Sequence, residues 1–124
     1  MKIIVADDDA IMTELLSEYF KELGHEVSVA YSGSELIEAA LRNPPDLICS
    51  DIDMPGLHGE SAQAMAEMCP ELRSVPFIVV TGHPKEKIYA LGLSPDTSVI
   101  CKPIDFGELD KAVQKIEARI KKNG

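Results

Sequence analysis

The chain has 124 residues, 45% of them hydrophobic and 27% charged, which suits one domain with its own core and leaves no room for two. No apolar stretch approaches the length of a membrane span, and no basic segment followed by a long apolar one opens the chain, so neither membrane insertion nor a secretion signal is expected. The net charge is −9 and uneven: residues 1–100 carry −11 and residues 101–124 carry +2, a distribution that disfavours direct nucleic-acid binding, which needs clustered Lys and Arg.

Lys2-Ile3-Ile4-Val5-Ala6 opens the chain as a strand and runs into Asp7-Asp8-Asp9. Ile11, Met12, Leu15, Leu16, Tyr19, Phe20 and Leu23 then recur at helical spacing, with Gly24 as the residue that closes the helix. Val27-Ser28-Val29-Ala30 reads as the second strand, and Ser32 with Glu35 as a capping box for a helix that Asn43-Pro44-Pro45 ends near Arg42. Leu47-Ile48-Cys49-Ser50 forms the third strand and stops at Asp51. A Met54-Pro55-Gly56 turn and a helix from about Glu60 to Met68 follow. Phe77-Ile78-Val79-Val80 leads to Thr81, a short helix fits residues 85–91, and Val99-Ile100-Cys101 leads to Lys102 and Pro103. A last helix carries Leu109, Val113, Ile116 and Ile120 on one face, with Lys121 and Lys122 near its end.

Five strands alternating with five helices over short connections predict a doubly wound α/β domain with a five-stranded parallel sheet. In the order 2-1-3-4-5 the first and third strands are neighbours at the switch point, where such sheets bind ligands beyond the carboxyl ends of their strands. That rim then holds Asp7, Asp8, Asp51, Thr81 and Lys102. Two unit charges about 4 Å apart repel by about 1 kcal/mol in water and about 4 at an effective dielectric of 20, so carboxylates gathered there work against stability unless a cation joins them. All-oxygen ligands with room for water suit Mg²⁺. Beside a metal, Asp51 is able to act as a nucleophile toward phosphorus, Lys102 offers a point charge for phosphoryl oxygens, and Thr81 a small hydroxyl donor. Taken singly, each has an ordinary explanation, such as a helix N-cap for one of Asp7, Asp8 or Asp9 and a surface role for Lys102. Cys49, Cys69 and Cys101 are an odd set without zinc spacing, which fits a reducing cytoplasm.

Ile3 to Asp9, Ser50-Asp51-Ile52-Asp53-Met54-Pro55-Gly56, Val79-Val80-Thr81-Gly82 and Cys101-Lys102-Pro103-Ile104-Asp105 together resemble the receiver domain of two-component response regulators. The resemblance runs from residue 1 to about 121 and makes residues 1–124 a single receiver domain of flavodoxin-like fold. It implies that Asp51 accepts a phosphoryl group from a sensor histidine kinase or a phosphotransfer protein, in a Mg²⁺-dependent reaction that switches conformation and partner binding. It implies metal binding by Asp8 directly, by Asp7 through water, by Asp51, and by the backbone carbonyl of Asp53. Thr81 and Lys102 would hold the phosphoryl oxygens, and Pro103 would follow a cis bond. The domain would be a signalling module, not a turnover enzyme, catalysing only its own phosphorylation and slow dephosphorylation. Asp53 and His83 occupy positions at which the family tunes hydrolysis of the acyl phosphate. Val99 stands where the family often has a switch aromatic, Gly82 where it usually has Ala, and His58 where Asp is common.

Two other readings are open from the residues. A haloacid-dehalogenase-like phosphatase would use Asp51 and Asp53 as nucleophile and acid, although that family places its nucleophile on the first strand. A phosphorylation-independent receiver-like interaction domain would carry degraded site residues. Glu14, Glu18 and Glu22 share one face of the first helix, which is either a solvated face or a docking strip for a basic partner.

Overall fold

The structure, a computed structural model, describes residues 1–51, 74–90 and 97–123. Its elements are β1 (Lys2–Ala6), α1 (Ala10–Glu22), β2 (Glu26–Ala30), α2 (Gly33–Arg42), β3 (Leu47–Ser50), β4 (Phe77–Thr81), α3 (Lys85–Tyr89), β5 (Ser98–Cys101) and α4 (Phe106–Asn123). All four strand pairings are parallel and the order is β2-β1-β3-β4-β5, as the alternation of strand and helix signals predicts. Four helices lie among the described residues where five were expected. The remaining one, expected from about Glu60 to Met68, lies outside them, as do the Met54-Pro55-Gly56 turn, Asp53 and His58.

The pleat sends alternate residues to opposite faces of the sheet. Ile3, Val5, Leu47, Cys49, Ile78, Val80 and Ile100 pack on one side with Leu16 and Phe20 of α1 and Leu109, Val113 and Ile116 of α4. Ile4, Ala6, Ala30 and Ile48 pack on the other with Leu36 and Ala40 of α2. β1, β3 and β4 are therefore buried on both faces, whereas the edge strand β2 has exposed positions at Glu26, Ser28 and Val29.

Caps set the helix ends. Gly24 takes φ +89°, its N–H bonds the Lys21 carbonyl and the N–H of His25 bonds that of Phe20, which closes α1 in a Schellman motif. Ser32 Oγ accepts from the Glu35 N–H at 3.2 Å, but the Glu35 carboxylate reaches back to the Tyr31 N–H at 2.8 Å, one residue beyond the reciprocal capping-box partner.

His25 ties the α1–β2 turn to the last helix. Its Nδ1 lies 3.0 Å from the Met1 amino nitrogen and its Nε2 lies 3.4 Å from Glu117 Oε1. Burial, then the adjacent N-terminal ammonium, push this imidazole below its usual 6.5 against the opposing pull of Glu117. The unfolded chain then binds the proton more readily than the fold, so stability is lost as pH falls through 6.5 toward the lowered folded value. Thermal midpoints measured from pH 7.5 down to 5 are expected to fall less steeply in His25→Gln than in the wild type; equal slopes would assign the acid sensitivity elsewhere.

Candidate functional site

The carboxyl ends of β1, β3, β4 and β5 meet at one rim because parallel strands share a direction. Asp7 follows β1, Asp51 follows β3, Thr81 ends β4 and Lys102 follows β5. Backbone bonds continue the ladders there: the Asp7 N–H to the Ala30 carbonyl at 3.1 Å, Asp51 to Ala6 at 2.9 Å and Lys102 to Thr81 at 2.6 Å. The polar groups are thus delivered by rigid sheet, not by mobile loop.

The three consecutive aspartates take different roles. Asp9 is the N-cap of α1, its carboxylate accepting from the Ile11 N–H at 2.9 Å. Asp8 is exposed. Asp7 is only 1% exposed, and its Oδ1 accepts from the Asp9 N–H at 2.9 Å. Oxygens of Asp7, Asp8 and Asp51 all lie within 4.8 Å of one another. Lys102 bridges two of them: its Nζ is 3.0 Å from Asp51 Oδ2 and 3.1 Å from Asp7 Oδ2. The bond to Lys102 joins residues 95 apart in the chain in the case of Asp7 and 51 apart in that of Asp51.

Burial raises Asp7 above the usual carboxylate range, and the Asp51 charge adds to this, while the Asp9 N–H and Lys102 oppose it. For Lys102 burial acts downward, but its hydrogen bonds to Asp51 and Asp7 prevail and hold the ammonium firmly protonated. One cation thus faces three carboxylates. The surplus of negative charge, offered through oxygen donors, is what a hard divalent cation neutralises, and Asp7, Asp8 and Asp51 are the side chains able to hold one. The three aspartates and Lys102 come together as the strand ends predict. Thr81 is fully buried at the next strand end, its Oγ1 accepting from the His83 N–H at 3.1 Å. The Lys102–Pro103 bond is cis.

The model of the response regulator receiver domain family matches residues 3–114. This chain belongs to that family. Receiver domains are the phosphoryl-accepting modules of two-component signalling. Over 109 residues, 85% of the chain, it is 31% identical to the signal transduction histidine-protein kinase BarA of Shigella flexneri, spanning 12% of that protein's length. The receiver domain of a signal transduction histidine kinase from Syntrophus aciditrophicus superposes with a TM-score of 0.85 at 25% identity, over 97% of this chain and 92% of that one. The receiver domain of a Pseudomonas aeruginosa sensor histidine kinase shares the fold, with a TM-score of 0.79 at 23% identity over 92% of this chain and 94% of that one; a magnesium ion is coordinated in its active site cleft.

The strand-end pattern did not point to a set of contacts behind the receiver site. Cys101 Sγ lies 3.4 Å from the His83 carbonyl, and Lys85 pairs with Glu108 at 2.5 Å. The available signal was Lys85 itself, a cation at the first position of a helix, where the dipole disfavours it. Cys49 is fully buried, with its thiol pushed up to about 12, first by burial and then by Asp7, and so plays a packing role. None of the described helices is long and apolar enough to cross a membrane.

Proposed function

We propose that residues 1–124 act as a single receiver domain in which Asp51 takes a phosphoryl group from the phosphohistidine of a sensor kinase or phosphotransfer protein. The observation that carries this reading is the Lys102 ammonium bonded at once to Asp51 and Asp7. In the transfer an Asp51 carboxylate oxygen forms the new O–P bond while the donor's P–N bond breaks and the imidazole departs. Asp51, 11% exposed in its side chain, is accessible at the rim yet held in direction by Lys102 and by the ladder bond of its backbone. As negative charge shifts onto the phosphoryl oxygens, Lys102 is placed to exchange a carboxylate for a phosphoryl contact, and the Thr81 hydroxyl is a further donor. Bound Mg²⁺, held by Asp8, Asp7, Asp51 and the carbonyl of Asp53, would neutralise charge on the transferring group; the magnesium in the P. aeruginosa domain is a precedent on the same fold. His83 and Asp53 would set how fast water removes the phosphoryl group. The free thiols of Cys49 and Cys101 fit the cytoplasm as the compartment.

Incubation with Mg²⁺ and acetyl phosphate is expected to add one phosphoryl group by intact mass, and Asp51→Ala to add none. A phosphorylated Asp51→Ala would overturn the assignment.

The partner's docking face would be α1. Glu14, Glu18 and Glu22 are exposed there, next to Ile11 at 79% and Leu15 at 44% exposure, beside the rim that carries Asp8. Reversing the three glutamates to lysine should slow transfer from the phosphohistidine partner at least tenfold at low salt and leave acetyl phosphate kinetics unchanged. Equal slowing of both donors would exclude a docking role.

A further inference from the structure

Four contacts pin the segment that leaves Thr81. The His83 N–H bonds Thr81 Oγ1, Cys101 Sγ donates to the His83 carbonyl, Lys85 pairs with Glu108 at 2.5 Å, and the Tyr89 hydroxyl donates to the Thr97 carbonyl at 2.8 Å. His83 is the joint of this arrangement: its amide holds Thr81 while its carbonyl is held by β5. Pro84 follows it directly, and its fixed φ passes a restraint on Lys85 back to His83 instead of absorbing it. Glu108 lies in the first turn of α4, just beyond the Asp105 carboxylate that accepts the Gly107 and Glu108 N–H groups. The ion pair therefore links the turn behind Thr81 to the start of the helix that follows Lys102.

We propose that Lys85 and Glu108 form an electrostatic latch on phosphoryl uptake: closed, it keeps the 82–85 turn seated so that the Thr81 hydroxyl stays engaged by the His83 amide, and open, it lets that hydroxyl turn to a phosphoryl group on Asp51. The inference rests on the reading of Asp51 and Thr81 given above. Thr81 is fully buried and its Oγ1 is held as the acceptor of the His83 N–H, so moving that oxygen to bring its proton to a phosphoryl group has to carry the His83 amide along or break that bond. The hydrogen bond to Glu108 raises Lys85 above its usual range, so its ammonium stays charged at neutral pH. With side chains 45% and 39% exposed, the pair biases the turn without locking it, and added salt weakens it. Lys85 and Glu108 are positioning residues; neither touches the transferred group.

The test compares the wild type with Lys85→Gln, Glu108→Gln and the charge swap Lys85→Glu with Glu108→Lys. In the unphosphorylated protein the His83 amide is expected to exchange hydrogen about two- to fivefold faster in the single variants and to return toward the wild-type rate in the swap. Phosphorylation by acetyl phosphate should accelerate by the same factor in the single variants and recover in the swap, and the rates of wild type and single variants should converge as salt rises. Wild-type exchange at His83 in the single variants, or acceleration that the swap leaves in place, overturns the latch while normal uptake by the wild type leaves Asp51 standing. No uptake by the wild type overturns the role of Asp51, and the latch's effect with it.

Discussion

Lys102→Met is expected to slow phosphorylation by acetyl phosphate about a hundredfold or more, the loss typical of removing one donor aimed at developing negative charge. The same change is expected to lower the stability of the Mg²⁺-free domain. Lys102 is the cation bonded to both Asp51 and Asp7, and Asp7 is 1% exposed, so solvent has little access to stand in for it. Stripping one partner from a fully buried pair costs about 3–5 kcal/mol; with Lys102 a quarter exposed, about 1–3 kcal/mol is the expected loss. Lys102→Arg separates the two effects. It keeps the positive charge beside the carboxylates and should recover most of the stability. It replaces a compact point charge by a planar fork on a longer reach, and so should recover little of the rate. Urea unfolding without Mg²⁺ and intact-mass time courses with it provide the two readouts. If Lys102→Met kept the wild-type rate, Lys102 would have no part in the transfer.

Magnesium is expected to raise the thermal midpoint far more than a monovalent salt of equal ionic strength. Three carboxylates within 4.8 Å with one ammonium among them leave net negative charge that a divalent ion offsets in the folded state only, since the unfolded chain does not gather Asp7, Asp8 and Asp51. At about 100 times its Kd a ligand of the folded state adds about 2.7 kcal/mol, or roughly 10 °C in a domain of this size. Screening by NaCl weakens the repulsion without coordinating the oxygens, and should give only a small part of this. Asp8→Asn is the informative variant. Asp8 is exposed, so its amide should leave the metal-free midpoint near or above that of the wild type while removing most of the Mg²⁺ response. Identical shifts with MgCl2 and NaCl, or an undiminished response in Asp8→Asn, would mean that no cation is held at this rim.

Both expectations depend on features of unequal legibility. The strands and their order follow from local pattern: Val- and Ile-rich runs of three to five residues, four of the five leading into a polar residue of the rim. Such runs have few structural solutions, and parallel connection then brings every carboxyl end to one rim. For that reason Asp7, Asp8, Asp51, Thr81 and Lys102 were identifiable as a set from the sequence by itself, and with them the receiver family. Tertiary structure alone decided how the set is wired. It made Asp9 the cap, Asp8 the exposed carboxylate and Asp7 the buried one, a choice among three identical neighbours that turns on the path of the chain out of β1. It also joined Lys102 to Asp7 and Asp51, His83 to Thr81 and Cys101, and Lys85 to Glu108. Most of those partners lie 18 to 95 residues apart in the chain. Periodicity reports which face of its own element a residue occupies; sheet twist and helix docking decide what stands opposite it.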